Sequence, residues 1–413
     1  MSFKITKCRV CGNKEFEEIM SLGDQVLTGV FPSSKAVPIT SGPVNLLRCS
    51  DPNGCGLVQL RQSYDMDEMY GMNYGYQSSL NPSMVAHLNM KVKTILSLGI
   101  LDAGDLVIDI GSNDATTLKA YPKGEFQLLG IDPTGIKFSH CYTDEIKLVP
   151  DYFSAQSILE VTGRTKAKII TSFSMFYDLE DPISFAKDIE SSLHQEGLWI
   201  FEQSYLPAML ETNSFDTICH EHLNFYSLKQ IHWILKKAKL KLIDIEFNDV
   251  NGGSFSVTAA KLSSKRQPNS KVIQEVDLKE KTMNLDSAEP YDSFRDRVRV
   301  AKDEFLEFLD KAKERGEIVS ALGASTKGNV LLQYYGVTED LINTIGEVNS
   351  DKFGCFTPGT HIPLVNEADL LKSKPDYLVI LPWHFREFFL SLPKLKGYNL
   401  VFPLPVFEII KVE

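Results

Sequence analysis

No stretch of this 413-residue chain approaches 18 consecutive apolar residues. A helix that crosses a bilayer needs about that many, so no membrane span is expected. Excess positive charge is missing too: 43 Lys and Arg stand against 54 Asp and Glu, a formal net charge of −11. Broad nucleic-acid or lipid-binding surfaces need clustered cations, which excludes both as general partners. An anionic ligand would need a local device such as a helix N-terminus. The opening residues MSFKITKC hold no apolar segment of the signal-peptide kind, so a cytoplasmic protein is expected. The seven cysteines are an odd number, a poor basis for a disulfide framework and a better one for metal binding or plain burial. Cys141, Cys219 and Cys355 stand alone and read as small buried hydrophobes. Internal repeats and low-complexity segments are absent.

What is present is the composition of a globular protein, 43% hydrophobic and 23% charged, in a chain long enough for two or three domains. The first ~65 residues are short apolar runs broken by Gly, Pro and Ser, the pattern of a small loop-rich module that needs a metal staple. From about Asn81 a helical stretch, MVAHLNMKVKTILSLG, leads into LVIDIGSND, a buried strand followed by a tight turn. FQLLGIDP, IKLVP, AKIITSFS and GLWIFEQS then alternate with helical patterns, which implies a doubly wound parallel sheet. FSVTAAKL is expected to close that sheet as an antiparallel strand. The polar stretch from Ser263 to Pro290 reads as a linker. Beyond it, Phe294, Val298, Ala301, Phe305, Phe308 and Ala312 follow a spacing of four and three, an amphipathic helix. EIVSALGAS, INTIGEVNS, DYLVILPW and NLVFPLP continue as short strands of a second α/β unit. The expected fold is therefore α/β: a doubly wound, Rossmann-like core over 71–285, a small loop-rich module over 1–70 and a C-terminal α/β domain over 286–413.

Two cysteine pairs, Cys8-x2-Cys11 and Cys49-x5-Cys55, frame the first module. A two-residue spacer lets a turn aim two thiolates at one ion, and two such knuckles complete a tetrahedral shell. The second knuckle is wider than usual, but SDPNG is rich in turn formers. With all four positions filled, the zinc would be structural and its binding energy would help fold the module.

The loop after Val107-Ile108-Asp109-Ile110 carries one glycine, Gly111, where a dinucleotide fingerprint needs three. An acid before a single glycine suits S-adenosylmethionine instead: Gly111 lets the backbone approach the methionine part, and Asp109 meets its ammonium. Twenty-three residues on, Asp132 ends the next strand and is placed to take both ribose hydroxyls. Ser112, Asn113, Pro133 and Ser174 complete the expected cofactor contacts, while Asp114 and Ala115 read as capping and packing.

His220-Glu221-His222, in ICHEHLNFYS, is not H-E-x-x-H and so lacks metalloprotease spacing. Two histidines and an acid among aromatics make an acid/base site credible. With these residues in view, the chain resembles the bacterial sugar C-methyltransferases that act on nucleotide-linked 4-keto-deoxysugars. The resemblance covers nearly the whole length, in order: CRVCG with a second pair leading into CGLVQL, then YGYQSSLN, IDIGSND, HEHL and NGGS, then GASTKGN, FTPGTHIP and LPWHF. It implies methyl transfer from S-adenosylmethionine to C3 of the sugar, after His222 removes the C3 proton to give an enolate. It places Glu221 and Tyr76 in the same pocket and implies substrate contacts from His220, Asn224, Lys327 and Asn329. A tyrosine hydroxyl is a reasonable donor to the enolate oxygen, and Lys327, in a glycine-flanked loop, suits a diphosphate. Two positions depart from the family pattern: a tyrosine usual before the HEH triplet is Cys219, and a glycine usual after SND is Ala115.

The expected partner is thus a nucleotide-linked 4-keto-deoxysugar, bound by a monomer or small homo-oligomer. The competing readings are O- or N-methylation of another small molecule and a non-catalytic zinc-containing binding protein. A nicotinamide-dependent reductase is disfavoured by the missing glycines.

Overall fold

The computed structural model describes residues 3–65, 69, 76–163 and 165–413. Its centre is a seven-stranded sheet in the order Leu240–Asn248, Ser254–Lys261, Leu193–Ser204, Ala167–Phe173, Leu106–Ile110, Gln127–Ile131, Ile146–Val149. All these strands are parallel except Ser254–Lys261, which runs against both its neighbours. LVIDI is buried at every position because helices cover both faces, which is why it reads as an unbroken apolar run rather than an alternating one. Ser254–Lys261 is antiparallel as expected, but it lies inside the sheet, and Leu240–Asn248 forms the edge.

Helix Pro82–Ser97 starts where Asn81 accepts hydrogen bonds from the Ser83 and Met84 amides at 3.0 and 3.4 Å, with proline at its first position. Its Leu88, Val92 and Ile95 face the sheet. His87 and Lys91, from the same helix, clasp the buried Glu202 carboxylate at 2.5 and 3.0 Å.

A second, six-stranded sheet is built from Leu364–Asn366, Ile345–Glu347, Val319–Leu322, Tyr377–Ile380, Asn399–Phe402 and Glu408–Lys411, parallel but for the last strand. Helix Glu289–Glu314 buries Phe294, Val298, Ala301, Phe305, Phe308 and Ala312, the stripe that the spacing predicts.

The N-terminal sheet does not close with its own residues. Strands Phe16–Val26, Ser41–Cys49 and Val58–Leu60 take their fourth strand, Asn224–Phe225, from the central part of the chain. The stretch expected to be a linker is also built in. Ser270–Thr282 is a helix whose Val276 is buried, with Val272 and Ile273 packed on the same core. Its Glu280 accepts hydrogen bonds from the Tyr205 hydroxyl and the Leu228 amide at 2.9 and 2.6 Å, capping helix Leu228–Lys237. Three apolar residues among charges look like a linker because the buried acid is satisfied by partners far away in sequence. Among the described residues no helix is long and apolar enough to cross a membrane.

Phe305 is fully buried between the rings of Phe308, Tyr335 and Phe407. Phe305→Ala should cost about 3–5 kcal/mol, read as a lower urea midpoint for loss of helical circular dichroism.

Candidate active site and metal centre

The four sulfurs of Cys8, Cys11, Cys49 and Cys55 lie within 4.8 Å of one another. Cys8 and Cys55 are 3.6 Å apart and Cys11 and Cys49 3.5 Å. A disulfide would bring a pair to about 2.05 Å, whereas thiolates about 2.3 Å from a tetrahedral zinc sit roughly 3.8 Å from each other. The donor set therefore fits zinc. The wide knuckle closes because Asp51 accepts the Gly54 amide on its carbonyl (2.8 Å) and the Asn53 amide on its side chain (2.7 Å). A Cβ on Gly54 would sit 2.9 Å from both Cys49 Sγ and the Asp51 carbonyl, so only glycine fits there. Between the first two ligands, Arg9 is almost fully buried and donates to the Leu60 carbonyl (2.6 Å), Ser63 Oγ (2.7 Å) and Glu180 (2.9 Å). The metal knuckle is thus tied to strand Val58–Leu60 and to the loop beyond Ala167–Phe173.

A cavity opens at the carboxyl ends of the central strands, bordered by Asp109, Gly111, Ser112, Asn113, Asp132, Pro133 and Ser174 together with Tyr76. Parallel sheets place ligands at this end. Gly111 has φ of +73°, and a Cβ there would meet Met175 Cγ at 3.1 Å. Asp109 is buried and accepts from Thr171 Oγ1 at 2.6 Å, across the adjacent strand. Burial pushes its carboxyl up to about 7, against the hydrogen bonds from Thr171 and Thr117.

Asp132 already accepts three bonds, from Thr134 N and Oγ1 and from the Asn113 amide, each at 2.7 Å. A carboxylate offers about four acceptor sites, so one is left for a ribose hydroxyl, not the two that were expected, unless the Thr134 hydroxyl turns away. Asn113 and Asp114 in turn hold the Ser78 and Ser79 amides at 3.0 Å each. Ala115 is buried in the left-handed region at φ +62°, which accounts for the glycine usual there, since an L-residue in that conformation costs roughly 1 kcal/mol. An acid for an ammonium, an acid for a ribose and an apolar wall that includes Phe153, Met175 and Phe185 fit S-adenosylmethionine. Phe153, Asp151 and Met175 escaped the sequence reading, though IKLVPDYF marks a third strand end of the same kind as the two that were recognised.

The HEH segment follows helix Leu206–Glu211 and the turn Phe215–Thr217. His222 Nδ1 lies 2.7 Å from the Thr217 carbonyl. A carbonyl can only accept, so Nδ1 carries the proton and Nε2 keeps its lone pair. The ring stands edge-on to Tyr177 at 4.4 Å, and burial, helped by the charge of Lys327, holds its pKa down to about 4. Lys327 donates to the Asn251 carbonyl, and burial lowers its pKa while Asp216 raises it. Gly252, at φ +89°, leaves room for this approach: a Cβ would lie 3.1 Å from Ser214 Oγ and 3.6 Å from Lys327 Nζ. The NGG, STKGN, PWHF and HEH motifs, scattered over more than 160 residues of sequence, thus come together in one cluster: Lys327 bonds Asn251, Gly252 nears Lys327 and Trp383, and the charge of Lys327 reaches His222.

Other expected contacts are placed differently. His220 is fully buried edge-on to Tyr64 at 4.6 Å, inside the N-terminal module, because the chain turns between the two histidines, with the His222 amide on the Cys219 carbonyl at 3.2 Å. Asn224 commits its amide to the Tyr177 and Leu179 carbonyls at 3.2 and 2.8 Å, and Asn329 its own to the Thr28 carbonyl at 2.7 Å. Both are struts. Tyr76 borders the cofactor cavity with a 43% exposed side chain, and its carbonyl takes a bond from Asn113 at 3.2 Å. Burial raises the pKa of Glu221; a Cβ on Gly29 would lie 3.3 Å from its Oε1, so the N-terminal module lies against the HEH segment. Cys219 is a buried thiol as expected, whereas Cys141 and Cys355 are only half-buried.

Comparison with known proteins divides the chain into three matched stretches, the last of which takes in strand Ser254–Lys261 of the central sheet. Residues 8–70 match a zinc binding domain, 86–245 a methyltransferase domain, and 249–405 the C-terminal domain of C-methyltransferases. The C-methyltransferase NovU of Streptomyces niveus is 26% identical over 416 residues, covering 99% of this chain and 98% of that protein. Solved structures to which part of the chain is similar include an S-adenosylmethionine-dependent methyltransferase from Clostridium acetobutylicum (10% identity, 42% of this chain and 90% of that one, TM-score 0.32). Another is the plantazolicin methyltransferase BpumL (11%, 43% and 84%, TM-score 0.33).

Stripping zinc with a strong chelator should loosen strand Val58–Leu60 and, through it, the HEH segment. Methyl transfer should be lost before S-adenosylmethionine binding, as followed by metal content, calorimetry and activity on one sample.

Proposed function

Because the chain belongs to the S-adenosylmethionine-dependent C-methyltransferases that carry an N-terminal zinc-binding module, we propose that it methylates C3 of a nucleotide-linked 4-keto-deoxysugar with His222 as the base. The observation that carries this reading is the state of His222. Its Nδ1–H is spent on Thr217 and its pKa lies well below neutrality, so Nε2 is a free acceptor at physiological pH. Oxygen or nitrogen methylation needs no carbanion; a carbon acceptor does.

In this reading the C3–H bond breaks toward His222 Nε2, and its electron pair passes into an enolate whose oxygen is the former C4 ketone. Tyr76 donates to that oxygen, and Glu221 lines the pocket. Lys327, a buried cation next to the base, meets the diphosphate. When bound, S-adenosylmethionine supplies the electrophilic methyl group. Asp109 takes its ammonium and Asp132 a ribose hydroxyl, while Gly111, Ser112, Asn113, Pro133 and Ser174 form the walls. The proposed domains are 1–70, 71–285 and 286–413, with Cys8, Cys11, Cys49 and Cys55 as the zinc ligands.

The test is incubation with S-adenosylmethionine and a panel of nucleotide-linked 4-ketosugars, read by mass as a gain of one CH2 unit. Loss of deuterium from C3 of a labelled substrate separates carbon from oxygen methylation. His222→Asn should lower kcat by about 10²–10⁴-fold; a normal rate in this variant would remove His222 from the role. A second expectation concerns Asp109, whose carboxyl sits at about 7 before the cofactor arrives. An ammonium partner favours the carboxylate, so binding should release a proton near pH 7. Affinity should fall by up to about ten-fold per pH unit below that. Calorimetry in buffers of different ionisation enthalpy should show the release in the wild type and not in Asp109→Asn.

A further inference from the structure

The turn Phe215–Thr217 belongs to the central part of the chain, yet its contacts run to the C-terminal domain. Asp216 is fully buried, and its Oδ2 accepts the indole N–H of Trp383 at 2.7 Å. Phe215 packs on Tyr334 and Tyr335 with ring centroids 5.2 and 5.3 Å away. Just upstream, Asn213 donates to the Pro405 carbonyl at 2.8 Å while accepting from Arg297 at 2.9 Å. The next residue after Asp216 is Thr217, whose carbonyl holds His222 Nδ1 at 2.7 Å and whose hydroxyl lies 3.3 Å from the same nitrogen.

We infer that Asp216 is a positioning residue: clamped by Trp383 across the domain boundary, it fixes the Thr217 carbonyl that sets the tautomer and orientation of His222. The inference rests on the reading of His222 as the base and extends it to a group that does not touch substrate. Geometry supports it in two ways. A turn of three residues leaves the Thr217 carbonyl little freedom once Asp216 is anchored. The turn is also held on either side of Asp216's anchor, by Phe215 on Tyr334 and Tyr335 and by Asn213 on the Pro405 carbonyl. The C-terminal domain, whose Lys327 meets the diphosphate in the proposed reading, would then set the base as well.

The test uses the full-length zinc-loaded protein with ¹⁵N-labelled histidine, no substrate being needed; the His222 resonances are identified by their loss in His222→Asn. The wild type should show His222 protonated at Nδ1. Trp383→Phe and Asp216→Ala should each give a mixture of tautomers and a kcat about ten-fold or more lower, with the KM for S-adenosylmethionine unchanged. Asp216→Asn, which keeps an acceptor for Trp383, should retain the Nδ1 tautomer. Folded Trp383→Phe with His222 still wholly protonated at Nδ1 would overturn the inference, and so would a wild type protonated at Nε2. Asp216→Ala may be replaced by Trp383→Phe alone if it does not fold. A sugar panel that yields no product would remove the proposed substrate but leave the tautomer result standing.

Discussion

The site depends on a very short strand pairing. Asn224–Phe225 lies antiparallel to Val58–Leu60, and the Leu60 amide bonds to the Leu223 carbonyl at 2.9 Å, one residue after His222. Two residues on one side and three on the other make a marginal ladder by themselves. It persists because Val58–Leu60 begins three residues after Cys55 and is braced by Arg9, which sits between two of the cysteine ligands. The metal knuckle, the strand and the HEH segment thus form one mechanical series.

The second constraint is electrostatic. Lys327, Asp216, Glu221 and His222 cluster together, Asp216 fully buried and the other three half-buried. Burial drives each toward its neutral form. For the proposed base this cuts both ways: the imidazole stays neutral at physiological pH, but a pKa lowered to about 4 also makes it a weaker proton acceptor. For Lys327 and Asp216 it is a cost that each offsets for the other, and an anionic substrate group would offset it further. The cofactor cavity works by the same rule: a buried Asp109 with a raised pKa is a carboxylate waiting for a cation.

The glycines and the left-handed residues mark where the backbone had to bend to admit a neighbour. Gly111 yields to Met175, Gly252 to Lys327 and Ser214, and Gly54 to a cysteine sulfur. Ala115 keeps the left-handed conformation without being glycine, a strain that the buried contacts of its methyl group must offset.

Much of this was legible in the order of residues. The cysteine spacing, the two aspartates ending consecutive strands and the four-three stripe of helix Glu289–Glu314 are local patterns, each fixed by the geometry of a turn, a strand or a helix. What local pattern cannot carry is which distant segments meet. That His220 packs on Tyr64 while His222 packs on Tyr177, that Asn224 and Asn329 are struts, and that an apparent linker is a packed helix all follow from partners more than 40 residues away in sequence. Residue order alone thus determined the chemistry on offer: a zinc shell, a cofactor loop and a histidine. The tertiary structure decided which histidine has its Nδ1 proton fixed and by what, because a proton's position on an imidazole depends on the one carbonyl that packing brings within hydrogen-bond reach.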